Sequence, residues 1–397
     1  MSFFTLFDKT PRARIGNTPH CGACGLYKTC KSPKMQPQGK GKKEILIVAE
    51  TPGKIEDEDG VYGGKSKRSG LLEEAIAAAG GDLWKDCVRT SALICRPPSD
   101  RESTSKEIGY CRPNLFKAIK EHKPKTIILL GSTALSSMLG TIWSKDIGSI
   151  ARWAGWEIPY QTTNTWIHPT FHPSYVQKAK GGRDKVLKMM FFHHIKRAFK
   201  HKSRPWKKVP DWSKDVELIH DPKKAAKRIK KFVELGGSVA FDYEANMLKP
   251  ESKEFEILCC SICYEGKSTI CFPWRGAVIP AMKKLFRAKN VRKIASNMKY
   301  EDRVTRRHLG AQIRNWAWDT MLAAHWQDSR TGITSIKFQS LVLLGMDPYD
   351  DDVDPYKEAK SGNEKNKLAT IDPTKLMTYC GLDSLLEFKV AVKQGFK

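Results

Sequence analysis

A chain of 397 residues fits two or three domains, and with 40% apolar residues it can bury proper cores. No apolar run approaches the ~18 residues needed to span a bilayer, which argues against a membrane protein. Its 69 basic residues against 43 acidic ones give a net charge of +26; this points to a polyanionic partner, nucleic acid before membrane, because no basic amphipathic anchor stands out.

Residues 1–43 read as polar and loop-like, and the opening Met-Ser-Phe-Phe-Thr-Leu-Phe lacks the charged-then-apolar plan of a secretory signal. Eleven cysteines, an odd number, argue for a reducing, cytoplasmic compartment and for metal or cluster ligation rather than disulfides. Cys21 and Cys24 form a C-x2-C clip that points two thiolates at one metal. Cys95 and Cys111 are candidate partners downstream, with Cys30 and Cys87 in the same half. Four thiolates hold either zinc or an iron–sulfur cluster, and spacing alone does not separate the two.

Glu44–Ala49 predicts a buried strand leading into Glu50-Thr51-Pro52-Gly53, the glycine-rich stretch Gly60–Gly64 and the basic Lys65-Ser66-Lys67-Arg68. A helix is predicted over Leu71–Ala79, and a second buried strand over Thr126–Leu130 ends in Gly131-Ser132. Strands alternating with helices indicate an α/β parallel sheet, whose ligands bind beyond the carboxyl ends of its strands. Glu50, Gly131 and the run Phe171–Tyr175 fall at such ends.

Glu50–Gly53, Gly60–Gly64, Cys95-Arg96-Pro97-Pro98, Leu129-Leu130-Gly131 and His172-Pro173-Ser174-Tyr175 occur in the order found in iron–sulfur uracil-DNA glycosylases of the family-4 type. The first half of the chain resembles that family. The resemblance implies a three-layer, parallel-sheet glycosylase-like domain over residues 1–202 and a [4Fe–4S] cluster on Cys21, Cys24, Cys95 and Cys111, with zinc as the alternative. It also implies a base pocket at Glu50, Tyr62, Ser91 and His172. The family reads its base with an asparagine where Ser91 stands, and a serine hydroxyl cannot present an amide's paired donor and acceptor to a pyrimidine edge. The expected role is a DNA-holding module whose uracil excision is lost or altered; excision of a flipped base is the alternative.

Lys196, Arg197, Lys200, His201, Lys202, Arg204, Lys207 and Lys208 make a basic stretch on and after a last helix, suited to phosphates without sequence preference. Pro205, Trp206, Pro210 and Trp212 mark a linker, 203–215. A helix is predicted over Pro222–Leu235. Then Ser238-Val239-Ala240-Phe241-Asp242-Tyr243-Glu244 reads as a short buried strand ending in two acids. On a strand, Asp242 and Glu244 project to the same face, and a divalent cation is the usual remedy for two like charges held so close. Strands over 257–263 and 268–272, joined near Glu265-Gly266, complete a meander, and the four cysteines at 259–271 read as small core residues. A helix over 277–287 and a strand over 292–296 follow. On a helix starting at Asn297, Glu301 lies on the same face and Asp302 is rotated away; Tyr379 and Asp383 repeat that spacing.

This order, with Asp319–Ala324 and Ile336–Leu341, resembles the proofreading 3′→5′ exonucleases of the DEDD superfamily, in the tyrosine-containing branch found in family A DNA polymerases. The resemblance implies a ribonuclease H-like α/β domain over 216–397. It also implies two-metal hydrolysis of DNA phosphodiesters, with Asp242, Glu244 and Asp383 on two Mg²⁺ or Mn²⁺ ions. Tyr379 would then orient the water, and Asn297 and Glu301 would complete the outer shell. Glu301 stands where the family has an aspartate, with Asp302 next door. The tract 347–370 reads as a mobile, solvated loop near the cleft.

The two halves together resemble the amino-terminal part of family A DNA polymerases of large tailed bacteriophages. That implies single-stranded 3′ ends and duplex DNA as partners, a polymerase domain or subunit alongside, and the host cytoplasm as the location. A bifunctional glycosylase–exonuclease and a non-catalytic DNA-anchoring polymerase subunit are the competing readings.

Overall fold

The computed structural model describes residues 18–63, 70–143 and 147–397. Gly64 and the basic stretch 65–68 lie outside the described residues. The chain divides at Val209/Pro210 into two compact units.

The first unit carries a five-stranded sheet of β1 (Ile45–Ala49), β2 (Cys87–Ser91), β3 (Thr126–Leu130), β4 (Ile158–Tyr160) and β5 (Thr165–Thr170) in the order β2-β1-β3-β5-β4. All neighbours are parallel except the edge pair β4–β5. Every residue of β1 and β3 is buried, because a central parallel strand is covered on both faces and reads as a continuous apolar run. Ile45, Ile47, Ile128 and Leu130 pack under the helices Leu71–Ala78 and Lys185–Ala198. The helix Ser132–Leu139 lies against β1 and β3 and the helix Ser105–His122 against β2, which places all functional loops at the strand ends.

The second unit carries a six-stranded sheet of β6 (Val216–Leu218), β7 (Gly237–Ala245), β8 (Ile257–Tyr264), β9 (Ser268–Pro273), β10 (Val291–Ala295) and β11 (Trp316–Asp319), in the order β11-β10-β7-β8-β9-β6. The meander β7–β8–β9 is antiparallel, and its second turn needs positive φ at both Glu265 (+52°) and Gly266 (+65°). Alternation along β7 then sorts its side chains. Val239, Phe241 and Tyr243 enter the core beneath the helices Pro222–Leu235 and Val278–Arg287. Ala240 turns to the other face, against the long helix Pro373–Gln394, and Asp242 and Glu244 share that face. The cysteines of β8 and β9 are all buried, in keeping with a core role. Among the described residues, no helix is long and apolar enough to cross a membrane.

Candidate functional sites

In the second unit, the ends of β7 and the helix Pro373–Gln394 bring the acids together. A carboxylate oxygen of Asp242, one of Glu244 and the Cys380 sulfur all lie within 4.8 Å of one another. Asp383 and Glu387 sit at successive turns of the helix, on the face that also carries Tyr379, and all three are buried. Glu301 enters from the helix Met298–Leu309, at 4% exposure. Asp302 points elsewhere: one oxygen pairs with Arg306 and the other accepts from the Ile313 amide at 3.3 Å. Glu301, and not Asp302, turns towards the acids; the helix starts at Met298, so Asn297 is its left-handed cap and not a member of the helix face that carries Glu301.

Crowding shows in the electrostatics. Burial, then Glu244, Asp383, Glu387 and Glu301 in that order, push Asp242 well above the usual carboxylate range. Burial and Asp383 push Glu244 up to about 7, against the pull of Lys357 and Lys337. Glu301 and Glu387 are likewise pushed far up by burial and by neighbouring acids, Glu244 for the first, Asp383 and Glu301 for the second. One oxygen of Glu387 accepts from the Ser296 amide at 3.1 Å; its other oxygen, like Oε2 of Glu301, is buried without a partner. A set made mostly of carboxylate oxygens, two of them buried without a partner nearby, fits a divalent cation.

Four residues of this site were not anticipated. Glu387 continues the spacing of Tyr379 and Asp383 by one more turn, a signal present in the sequence. Lys337, from the helix Ile336–Leu344, donates to Asp383 Oδ1, to Tyr379 OH at 2.8 Å and to Tyr349 OH at 3.0 Å. Burial pulls its ammonium down, but Asp383 and Asp350 outweigh that and hold its pKa above the ordinary lysine value. Tyr349 also donates to Asp383, and Lys357 donates to Tyr379 OH at 2.6 Å. The tract 347–370 is therefore more than a solvated loop. One of its side chains bonds to Asp383 and another to the Tyr379 hydroxyl, and Val353 and Leu368 are buried in a core cluster with Tyr379. Unpaired carboxylates draw in whatever cations the nearby chain can supply.

Asn297 is exposed and adopts a left-handed conformation (φ +64°) at the start of its helix. Its amide and that of Met298 donate to Asp319 Oδ1 and Oδ2 at 3.1 and 2.9 Å. Asp319 also caps the helix Thr320–Gln327 through Met321 and Leu322 at 2.9 and 3.2 Å.

In the first unit, Glu50 follows β1 and its Oε1 accepts from the Thr133 amide at 3.0 Å. Gly131 (φ +91°) makes room for it: a Cβ there would come within 2.4 Å of that oxygen. His172 caps the helix Pro173–Lys178, its Nδ1 accepting from the Ser174 amide at 3.3 Å. Burial lowers its pKa against the opposing pull of Glu50. Tyr62 has no exposed surface, and its ring lies 5.5 Å from the Arg89 guanidinium. Burial pushes its phenol up to about 12, with the hydroxyls of Ser91 and Thr90 beside it. Ser91, at the end of β2, is 1% exposed and its hydroxyl has no bonding partner.

The cysteines assemble separately. Cys21 and Cys24 lie on a single helical turn, Cys95 follows β2, and Cys111 rides on the helix Ser105–His122. All four line one cavity with Leu26, Leu93 and Tyr110. Burial and the neighbouring thiols Cys30 and Cys111 push Cys95 up to about 12; burial, Cys24 and Cys21 raise Cys111. Among the described residues, no three of these four sulfurs approach within 4.8 Å of one another. Four thiols around one cavity are the donor set of a thiophilic metal or an iron–sulfur cluster. Cys30 is not among the residues that line the cavity, and burial raises its thiol pKa; Cys87 is core.

Comparison with known proteins matches each unit. Residues 36–200 match the uracil DNA glycosylase superfamily and residues 216–393 a 3′-5′ exonuclease family. The type-4 uracil-DNA glycosylase of Archaeoglobus fulgidus is 30% identical over 160 residues, covering 39% of this chain and 77% of that enzyme. The enzyme of the same description from Thermotoga maritima is 30% identical over 182 residues, covering 45% and 87%. A DNA polymerase of Bacillus phage SP01 is 25% identical over 394 residues, covering 91% of this chain but 41% of the polymerase. The chain belongs to the type-4 uracil-DNA glycosylase family through its first unit, and a 3′-5′ exonuclease domain makes up its second.

Proposed function

We propose that the second unit degrades DNA from 3′ ends and that the first holds DNA without excising uracil, the whole working beside a polymerase domain or subunit in the cytoplasm of a host cell. The observation that carries the nuclease reading is the convergence of Asp242, Glu244, Glu301, Asp383 and Glu387 from three segments, with two orphaned carboxylate oxygens. Two Mg²⁺ or Mn²⁺ ions bound there would supply charge stabilisation to the attacking and leaving oxygens of a phosphodiester. Asp242, Glu244 and Asp383 would hold them, with Glu301 and Glu387 behind.

The chain's own part is positioning. Tyr379, kept protonated by burial well above the ordinary phenol range, can hold a water by its hydroxyl but cannot serve as its base. Lys337 and Lys357 anchor that hydroxyl and place two positive charges beside it, where a phosphate would lie. Asn297, exposed at its helix start, is free to meet the terminal nucleotide. Release of nucleotides from a 3′-labelled single strand with Mg²⁺, abolished by Asp242→Ala, is the test. An Asp242→Ala protein as active as the parent refutes the reading.

Loss of uracil excision is favoured by Tyr62 and Ser91. A tyrosine with no exposed surface offers no face for a flipped base to stack on, and its hydroxyl crowds the serine that stands in the reading position. The residues fit a [4Fe–4S] cluster on Cys21, Cys24, Cys95 and Cys111, which would tie the amino-terminal turn to the helix Ser105–His122 and to the loop after β2. The charge of +26 supports DNA as the common partner. The likeness to a phage polymerase along nearly the whole chain supports the polymerase association.

A further inference from the structure

Glu157, His168 and His201 belong neither to the strand-end pocket nor to the cysteine cavity. Each offers one ligand atom, and the three atoms lie within 4.8 Å of one another. Glu157 directly precedes β4, His168 lies within β5 opposite Ile128 of β3, and His201 follows the helix Lys185–Ala198. Three separate segments therefore meet at one edge of the sheet.

The group is built rather than incidental. Arg197 grips Glu157 Oε1 through its Nε at 2.5 Å and holds the Gly155 carbonyl at 3.1 Å. The other carboxylate oxygen is left facing His201 Nε2, 2.7 Å away. His201 is fixed by stacking on Trp166 at 4.1 Å and 13°, and the Trp166 indole donates to the Ser203 carbonyl at 3.1 Å. His168 is 3% exposed, and its Nε2 has no hydrogen-bond partner. Burial lowers its pKa to about 3, so the ring is neutral. A buried, unbonded ring nitrogen is costly to leave unsatisfied, and an internal ion pair between Glu157 and Arg197 does nothing to relieve it.

We propose that Glu157, His168 and His201 bind a divalent transition-metal ion of the zinc class, pinning the end of the helix Lys185–Ala198 to the β4–β5 edge. Two imidazoles and a carboxylate are the donor set of such ions, whereas Mg²⁺ and Ca²⁺ prefer oxygen throughout. Arg197 becomes the outer partner that orients the ligating carboxylate. Ligation through Nε2 requires the neutral His201 ring to carry its single proton on Nδ1, so the bond to Glu157 is exchanged for the two metal bonds. Entry is open, since the side chains of His201 and Glu157 retain 17% and 25% exposure. The bound ion would fix the start of the basic stretch 200–208, and so the placement of its phosphate-binding charges.

The test uses the full chain, stripped with chelator and titrated with Co²⁺ in excess Mg²⁺. The expected result is one equivalent of zinc-displaceable cobalt showing visible bands without the near-ultraviolet sulfur charge-transfer band of cysteine-bound cobalt. That equivalent is lost in both His168→Leu and His201→Gln and kept in Asp242→Ala. His201 is partly exposed, so its variant keeps the test sound should His168→Leu fail to fold. Equal sulfur-free cobalt binding by the parent and His201→Gln, or none by the parent, overturns the proposal.

Discussion

Glu244→Gln tests the electrostatics of the acid cluster with almost no change of shape. In the absence of metal, burial and Asp383 move the Glu244 carboxyl from 4.5 to about 7. At about 1.4 kcal/mol per pH unit, holding it ionised costs about 3 kcal/mol relative to the unfolded chain. The folded value is the higher one, so this group favours the fold below pH ~4.5 and that advantage is lost as pH rises through ~7. At pH 8 in EDTA the parent carries the whole cost and the glutamine none. The variant is therefore expected to be more stable there by about 3 kcal/mol, a figure that already includes the attraction of Lys337 and Lys357. The gap should close towards pH 4.5. Saturating Mg²⁺ should reverse the order, because an ion that binds only the folded acids stabilises the parent more. Hydrogen exchange at the β7 and β8 amides is the measure, because it reads the stability of this sheet locally in a chain of two compact units. A variant less stable than its parent at pH 8 in EDTA, or a gap indifferent to pH, refutes the reasoning.

Lys337→Met strands Asp383 without its buried cation, while Lys357 still holds Tyr379, so the metal-free protein should lose about 3–5 kcal/mol, with part restored by Mg²⁺ in the same exchange measurement. Gly131→Ala forces a Cβ onto the Glu50 carboxylate at φ +91°, with an expected loss of roughly 1–3 kcal/mol by thermal denaturation of the first unit. Cys95→Ser should remove a brown absorbance near ~400 nm and the matching iron from anaerobically purified protein, whereas Cys30→Ser should leave both; a colourless parent with stoichiometric zinc contradicts the cluster. Ser91→Asn alone should not create alkali-labile breaks at uracil, because the Tyr62 ring still fills the approach; breaks that appear with that single change refute the blocked-pocket reading.

The sheets were legible because their strands carry the pattern of their burial. Central β1 and β3 are unbroken apolar runs, and β7 places its acids two residues apart at the end of one. Short edge strands were not. β4, β6 and β11 hold three or four residues each, too few for a period to show. The helix periodicity that paired Tyr379 with Asp383 extends to Glu387, but an acid in the middle of an apolar helix reads as solvated until its neighbours are known. Lys337, Tyr349 and Lys357 were invisible for another reason. A polar tract shows what each residue is made of, not which charge it will be drawn towards. Tyr62 shows another limit, since the order of an aromatic in the chain says nothing of its burial, which here is complete.

Asp319 is an acid in a nuclease domain that is spent entirely on the main chain. Its two oxygens take four amides, two from the turn that launches Glu301 and two from the next helix. It therefore acts as a rivet between two helix starts, and the aim of Glu301 depends on a residue that never meets the substrate. Exchanging it for asparagine would turn one acceptor into a donor facing amides of the same polarity. The damage would reach the active centre as misalignment, with every reactive side chain still present.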